Sequence, residues 1–159
     1  MYKRILIPTD GSELSKIALE EGVALAKALG GSATVLTVTT PFHVFTSDLA
    51  DAAATPEQYR KRMAAVARRH LDEAEGIAAA AGVACELLHV EHEHPYQAII
   101  DTAQSRACDA IHMASHGRRG MSALLLGSET LKVLTHSAIP VIVCRRPPPL
   151  TRLQAAFAS

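Results

Sequence analysis

Ala114-Ser-His-Gly-Arg-Arg-Gly-Met-Ser-Ala-Leu-Leu-Leu-Gly-Ser128 is the stretch on which the fold turns. Directly before it, Cys108 to Met113 is an apolar run that reads as a buried strand, and directly after it the residues have helix character. A strand, a glycine-bearing loop and a helix start, in that order, make a place where backbone N–H groups converge on an anion. The glycines let the main chain come close, and the helix N-terminus offers unpaired donors and the positive end of its dipole. Ser128 can cap that helix or give its hydroxyl to a phosphate oxygen. Glu129 and Thr130, in the first turn after it, join the candidate binding residues.

Upstream, the same alternation of strand and helix repeats. Lys3 to Pro8 holds Ile5-Leu-Ile7, a short buried strand, and Asp10-Gly-Ser12 is a turn into a helix with Ser12 as its cap. Leu14, Ala18, Gly22, Leu25, Ala26 and Leu29 recur at helical spacing until Gly30-Gly31 stops them. Ala33 to Thr39 is a second strand, and residues 40 to 54 a longer connection with Phe42 and Phe45. Thr55-Pro56-Glu57-Gln58 is a capping box with proline at the first helical position. Met63, Val66, Ala74 and Ile77 mark one face of the long helix that follows, ending at Gly82. Val83 to Val90 is a third strand, and Pro95 opens a helix carrying Tyr96, Ile99, Ile100 and Ala103 on one side. Ala110 to Ala114 is the fourth strand, and Val141 to Cys144, after Pro140, the fifth.

Continuous apolar strands separated by amphipathic helices imply an α/β protein, a doubly wound five-stranded parallel sheet with helices on both faces. Right-handed crossovers leave two plausible strand orders, and both put a ligand crevice at the carboxyl ends of the strands beside a switch point. If the strands ending at Pro8-Thr9-Asp10 and at Met113-Ala114 are neighbours there, both features line one crevice.

Composition narrows the function. The chain has 159 residues, enough for one domain with a sound core, and Lys plus Arg balance Asp plus Glu at 16 each. A net charge of zero lacks the positive field that general nucleic-acid binding needs. No apolar run reaches the roughly 18 residues of a membrane span, and the N-terminus lacks a signal-peptide pattern. Cys85, Cys108 and Cys144 sit in apolar runs at spacings that fit neither a zinc site nor a CxxC pair, so they read as buried thiols of a reduced, cytoplasmic protein.

Pro8-Thr9-Asp10-Gly11-Ser12 near the start, together with Ala-Ser-His-Gly, nine residues and Gly-Ser late in the chain, resembles the universal stress protein family over about residues 1 to 146. Residues 147–159 then form a C-terminal tail. The late motif of the nucleotide-binding branch is Gly, two residues, Gly, nine residues, Gly, then Ser or Thr. Gly117, Gly127 and Ser128 match it, while position 114 is Ala, which puts a methyl where backbone would meet ribose or phosphate. The resemblance implies a Rossmann-like sheet of order 3-2-1-4-5 and a homodimer built through the last strand. It also implies ATP, with Asp10 at the ribose, main-chain groups near Val38 at the adenine, and Gly117, Gly127 and Ser128 at the phosphates. Met113 and Pro8 would be apolar walls, with Thr9 and Ala114 beside them.

Several residues read two ways. Asp10 suits a turn as well as a ribose contact. A response-regulator receiver also carries an acid after its first strand, but its acidic cluster and late lysine are missing, as is the P-loop signature GxxxxGK[ST]. His116 is either a phosphate contact or a turn-shaping loop residue. Arg118 and Arg119 suit charge-assisted contacts to phosphates, one of them reading as a solvated loop charge. His89, His92 and His94, with Glu91 and Glu93 between, are a solvated rim cluster with a lesser reading as a metal site, and a pH-sensitive edge is conceivable. Leu124-Leu125-Leu126 reads as core or lid packing. No nucleophile has an adjacent base, and no carboxylate pair is set for acid–base work, so no catalytic residue and no dedicated metal ligand is assigned.

The expected function is therefore nucleotide binding that biases a conformation or interaction in a stress response, with slow or no ATP hydrolysis. Mg²⁺ or Mn²⁺ would enter with the phosphates. A nucleotide-free homodimeric scaffold acting through protein partners is the alternative, and a slow ATP hydrolase using His116 or Asp10 to orient water a third.

Overall fold

The computed structural model describes residues 2–42, 54–117 and 126–145. Within them β1 (Arg4–Pro8), α1 (Glu13–Ala28), β2 (Ser32–Thr39), α2 (Pro56–Ala81), β3 (Cys85–Glu91), α3 (Pro95–Ser105), β4 (Ala110–Ala114), α4 (Ser128–His136) and β5 (Val141–Cys144) follow one another. The strands form one sheet of order β3-β2-β1-β4-β5, every pairing parallel. The alternation of strand and helix in the sequence thus produces the doubly wound sheet, and of the two orders it allows, 3-2-1-4-5 is the one adopted.

The apolar runs are continuous because both faces of each strand are covered. Side chains alternate across a strand, so Ile5 and Ile7 pack with Val35, Leu19, Val23 and Leu71 on the α1/α2 side. Leu6, between them, joins Leu36, Ile99, Ile111, Met113 and Val133 on the α3/α4 side.

The caps follow the local chemistry. Ser12 Oγ accepts from Ser15 N at 3.2 Å. Thr55 and Gln58 exchange both bonds of the capping box, at 2.9 and 3.2 Å, with Pro56 as the first helical residue. Gly82 ends α2 in the left-handed conformation, φ 70°. The buried stripe of α2 differs from the expected one: Tyr59, Ala67, Leu71, Ala74 and Ala78 are buried, while Met63, Val66 and Ile77 flank them half-buried. Three alanines, Ala67, Ala74 and Ala78, line the contact beside Tyr59 and Leu71, because a small side chain lets the helix backbone approach the sheet.

Ser128 does not cap α4. Gly127 is the N-cap, and its carbonyl accepts from Leu131 N at 2.9 Å, which leaves Ser128 as the first helical residue. At the opposite end of the sheet, Asp109 accepts from Lys3 N at 2.7 Å and Arg4 N at 3.2 Å, pinning the start of β1 to β4.

Candidate functional crevice

β1 and β4 lie side by side with Leu6 opposite Ile111, so their carboxyl ends open at the same edge of the sheet. From β1 the chain leaves toward β2, and from β4 toward β5. This divergence is the switch point at which doubly wound sheets leave a crevice. Thr9-Asp10-Gly11 comes from one side and Ser115-His116-Gly117 from the other.

The two loops meet. A Cβ built on Gly117 would fall on Asp10 Oδ2, with Asp10 Cγ at 3.3 Å, so the carboxylate lies over the glycine backbone. Asp10 Oδ1 accepts from Ser12 N at 3.0 Å, which aims the side chain. Gly127 closes the same loop: its N–H donates to Ser115 O at 2.7 Å, and a Cβ there would sit 3.1 Å from His116 Cα. Its backbone is ordinary, φ −63° and ψ 153°, so close approach and not a positive φ is what favours glycine at 127.

Thr9 is buried and knits the crevice floor. Its N–H donates to Leu36 O at 2.9 Å, its carbonyl accepts from Thr37 Oγ1 at 3.2 Å, and its hydroxyl meets Ser15 Oγ at 3.1 Å. Pro8 ends β1, and Met113 is the penultimate residue of β4. Val38 lies two residues past Leu36 on β2, where β1 has already ended opposite Leu36. Leu36 O faces β1 and Thr39 O faces β3, where it accepts from His92 N at 2.9 Å. Strand alternation therefore turns the N–H and C=O of Val38 into the space beyond β1.

The remaining expected site residues divide. Ala114 is buried with Leu14, Ala18 and Cys144 beneath α1, so its methyl packs into the core. His116 Nδ1 meets Ser115 Oγ at 3.2 Å. Thr130 Oγ1 donates to Ala114 O at 2.9 Å and ties α4 to the end of β4. Glu129 accepts from Tyr96 N at 2.8 Å at the start of α3 and bonds Lys132 Nζ at 3.0 Å, so its carboxylate is drawn toward α3. Ser128 is exposed at the head of α4. Arg118, Arg119, Leu124 and Leu125 lie outside the described residues, as do Phe45 and the tail from Arg146.

The histidines of the rim do not gather into one site. His89 Nε2 bonds Thr39 Oγ1 at 2.8 Å, whereas His92 and His94 stack loosely, ring centroids 6.1 Å apart, with Tyr96 6.2 Å further on. Among the described residues, no three His, Cys, Asp or Glu side chains are placed to share a metal ion.

Two histidines escaped the reading of the sequence. His70 of α2 stands over the β1–α1 turn, where a Cβ on Gly11 would fall on its imidazole. A polar residue on the Ala67–Leu71–Ala74 stripe was the available signal. His112 of β4 is 4% exposed under α1 beside Gly22, its Nδ1 without a hydrogen bond. Burial pushes the His112 pKa down, against the opposing charge of Glu21 and a hydrogen bond to the Ala18 backbone.

Among the described residues the thiols are held protonated. Burial raises all three thiols, Cys144 to about 11 with help from its bond to Glu21. Ser115, beside His116, is buried. The arrangement brings the Asp10 carboxylate and two close-packed glycines, Gly117 and Gly127, to one edge of the sheet.

The fold is that of a doubly wound α/β protein whose candidate crevice lies at the β1/β4 switch point. The model of the Universal stress protein family matches residues 1–145. The universal stress protein YxiE of Bacillus subtilis is 30% identical over 149 residues, covering 91% of this chain and all of that relative. The solved structure of MJ0577, a universal stress protein of Methanocaldococcus jannaschii, superposes with a TM-score of 0.78 at 26% identity, covering 94% of this chain and 99% of that one. A universal stress protein from Archaeoglobus fulgidus, solved in complex with dAMP, shares the fold at 20% identity and a TM-score of 0.62, covering 91% and 98%. The chain belongs to the universal stress protein family. No helix among its described residues is long and apolar enough to cross a membrane.

Proposed function

We propose that the crevice binds ATP and that its occupancy regulates a stress response, with hydrolysis slow or absent. The observation that carries this reading is the meeting of Asp10 with Gly117 at the β1/β4 switch point, where a side chain at 117 would have no room. Asp10 supplies a carboxylate for ribose hydroxyls, and the Val38 main chain, past the end of β1, a donor and an acceptor for an adenine edge. Gly117, Gly127 and the exposed Ser128 at the head of α4 suit phosphates, which favour a helix N-terminus. A relative of the same fold holds dAMP, a ligand of the same chemical class.

The fit of a metal is different in kind. With no protein cage among the described residues, Mg²⁺ or Mn²⁺ would be held by phosphate oxygens and water, and would neutralise phosphate charge. We further infer a homodimer through β5, a short apolar strand at the sheet edge, and a cytoplasmic setting suited to thiols that are free.

Thermal melting with and without ATP and Mg²⁺ tests the reading. A ligand bound only by the native state adds about 2.7 kcal/mol at a hundredfold excess over Kd. For a chain of this length that is a rise of roughly 5–10 °C. A melting curve unmoved by millimolar ATP and Mg²⁺ refutes it.

A further inference from the structure

We propose that His70 is a positioning residue of the nucleotide crevice, holding the Asp10 turn at the height at which its carboxylate meets a ribose. The inference rests on the reading of the crevice as a nucleotide site. It names a residue of α2, 60 positions away from the turn it supports, that belongs to neither motif.

The contact chain is short. Gly11 has φ +74°, a conformation that side chains rarely adopt, and a Cβ there would also fall on His70 Nε2 with Cδ2 and Cε1 beside it. The imidazole edge thus rests directly on the Gly11 backbone. On one side of Gly11, Thr9 is anchored to β2, and the Gly11 N–H reaches Thr9 Oγ1 at 3.3 Å. On the other side Ser12 donates its N–H to Asp10 Oδ1 at 3.0 Å and caps α1. Asp10 Oδ2 then lies over Gly117. His70, Gly11, Asp10 and Gly117 form one line of contact from α2 to the β4–α4 loop.

The base of that line is firm. One turn along α2 from His70, Glu73 pairs with Lys16 of α1 at 2.5 Å, and Leu71 and Ala74 are buried in the core. The histidine is therefore carried on a fixed helix, while the turn it covers is held from below by Thr9. Gly11, left-handed and without a side chain, packs nothing of its own over the turn, and the His70 imidazole covers it. Removing the imidazole opens a gap over Gly11, so the turn gains room to lift and Asp10 to leave Gly117.

Isothermal titration of the full chain with ATP·Mg²⁺ and, separately, with inorganic tripolyphosphate tests this. His70→Ala should weaken ATP roughly tenfold to a hundredfold, the worth of one charge-assisted hydrogen bond that a ribose hydroxyl donates to Asp10. Tripolyphosphate, which has no ribose, should bind the variant within twofold of wild type. His70→Gln, which puts an amide nitrogen close to the Nε2 position, should restore ATP binding to within about threefold. In the Asp10→Ala background, His70→Ala should cost nothing more, since both changes remove one contact.

Unchanged ATP affinity in His70→Ala overturns the proposal while leaving the nucleotide reading intact. So does an equal loss for tripolyphosphate, or a loss that adds fully to that of Asp10→Ala. Wild-type protein that binds no ATP refutes the nucleotide reading and this inference with it. Should His70→Ala not fold, His70→Gln and His70→Asn carry the comparison: equal ATP affinities in the two overturn it, because asparagine is too short to reach Gly11.

Discussion

Gly117→Ala changes the crevice by a single methyl and has a consequence that can be worked out from the contact it would make. The added Cβ falls on Asp10 Oδ2, with Cγ at 3.3 Å, so the carboxylate must move. Asp10 cannot simply retreat, because Oδ1 is engaged by Ser12 N at 3.0 Å and the turn below it is anchored through Thr9. The carboxylate is half-buried, so releasing it to water costs the unliganded fold about 1 kcal/mol at most. That is a fall in Tm of ~2–4 °C for a chain of this size. Affinity suffers more: losing a charge-assisted hydrogen bond to a ribose hydroxyl weakens ATP by ~10–100-fold. Calorimetric titration of wild type, Gly117→Ala, Asp10→Ala and the double variant measures the coupling directly. With Asp10 shortened to alanine the clash disappears, and the 117 methyl should become silent. An unchanged Kd for Gly117→Ala, in a protein that melts normally, would refute the placement of Asp10 as the ribose contact.

Ala114→Gly should destabilise by about 1–2 kcal/mol, a buried methyl plus the entropy of glycine in a strand, and leave ATP affinity within twofold. A rise in affinity would show that the methyl crowds the ligand. Ala107, exposed at the end of α3 with φ 50°, should gain about 0.5–1 kcal/mol on change to Gly, read as a higher Tm, since an L-residue is strained there. His112 predicts an acid-sensitive fold. Its folded pKa lies below the unfolded one, so both states are neutral above about pH 6.5. Below that only the unfolded chain takes the proton readily, and stability falls toward the lowered folded pKa. Urea unfolding at pH 7.5 and pH 5 should show that loss in wild type and much less in His112→Leu. Ile142→Lys puts a charge on the edge strand and should yield monomers or insoluble protein, whereas a soluble dimer by light scattering would exclude β5 as the interface.

The order of elements was legible because each carries its own local signal. Thr55-Pro56-Glu57-Gln58 announces a helix start through groups within four residues of one another, and the structure makes both bonds of that box. Ile5-Leu-Ile7 reads as a strand covered on both faces because apolar residues at consecutive positions must point to opposite sides. The late motif with Gly117 and the early Pro8-Thr9-Asp10 marked two loops that the structure brings into contact. Less legible was what a side chain does once the elements pack. The packing of Ala114 against Leu14, Ala18 and Cys144 had no local signal. Glu129 stood in the candidate binding set and reaches across to the Tyr96 N–H. Ser128 looked like a cap, yet Gly127 takes that place.

Taken alone, the sequence determined the α/β class, the succession of strands and helices found among the described residues, and the two loops that had to meet for a ligand site to exist. Periodicity, capping groups and glycine placement are properties of neighbours along the chain, and they survive without knowledge of the fold. The choice of order β3-β2-β1-β4-β5 between two that local signals allow belonged to tertiary structure. So did the contact of Asp10 with Gly117, the seating of His70 on Gly11 and the burial of His112 beneath Gly22. These contacts join residues from 59 to 107 positions apart, and no periodicity spans such a separation. Only the packing of helices on a common sheet brings them within van der Waals reach.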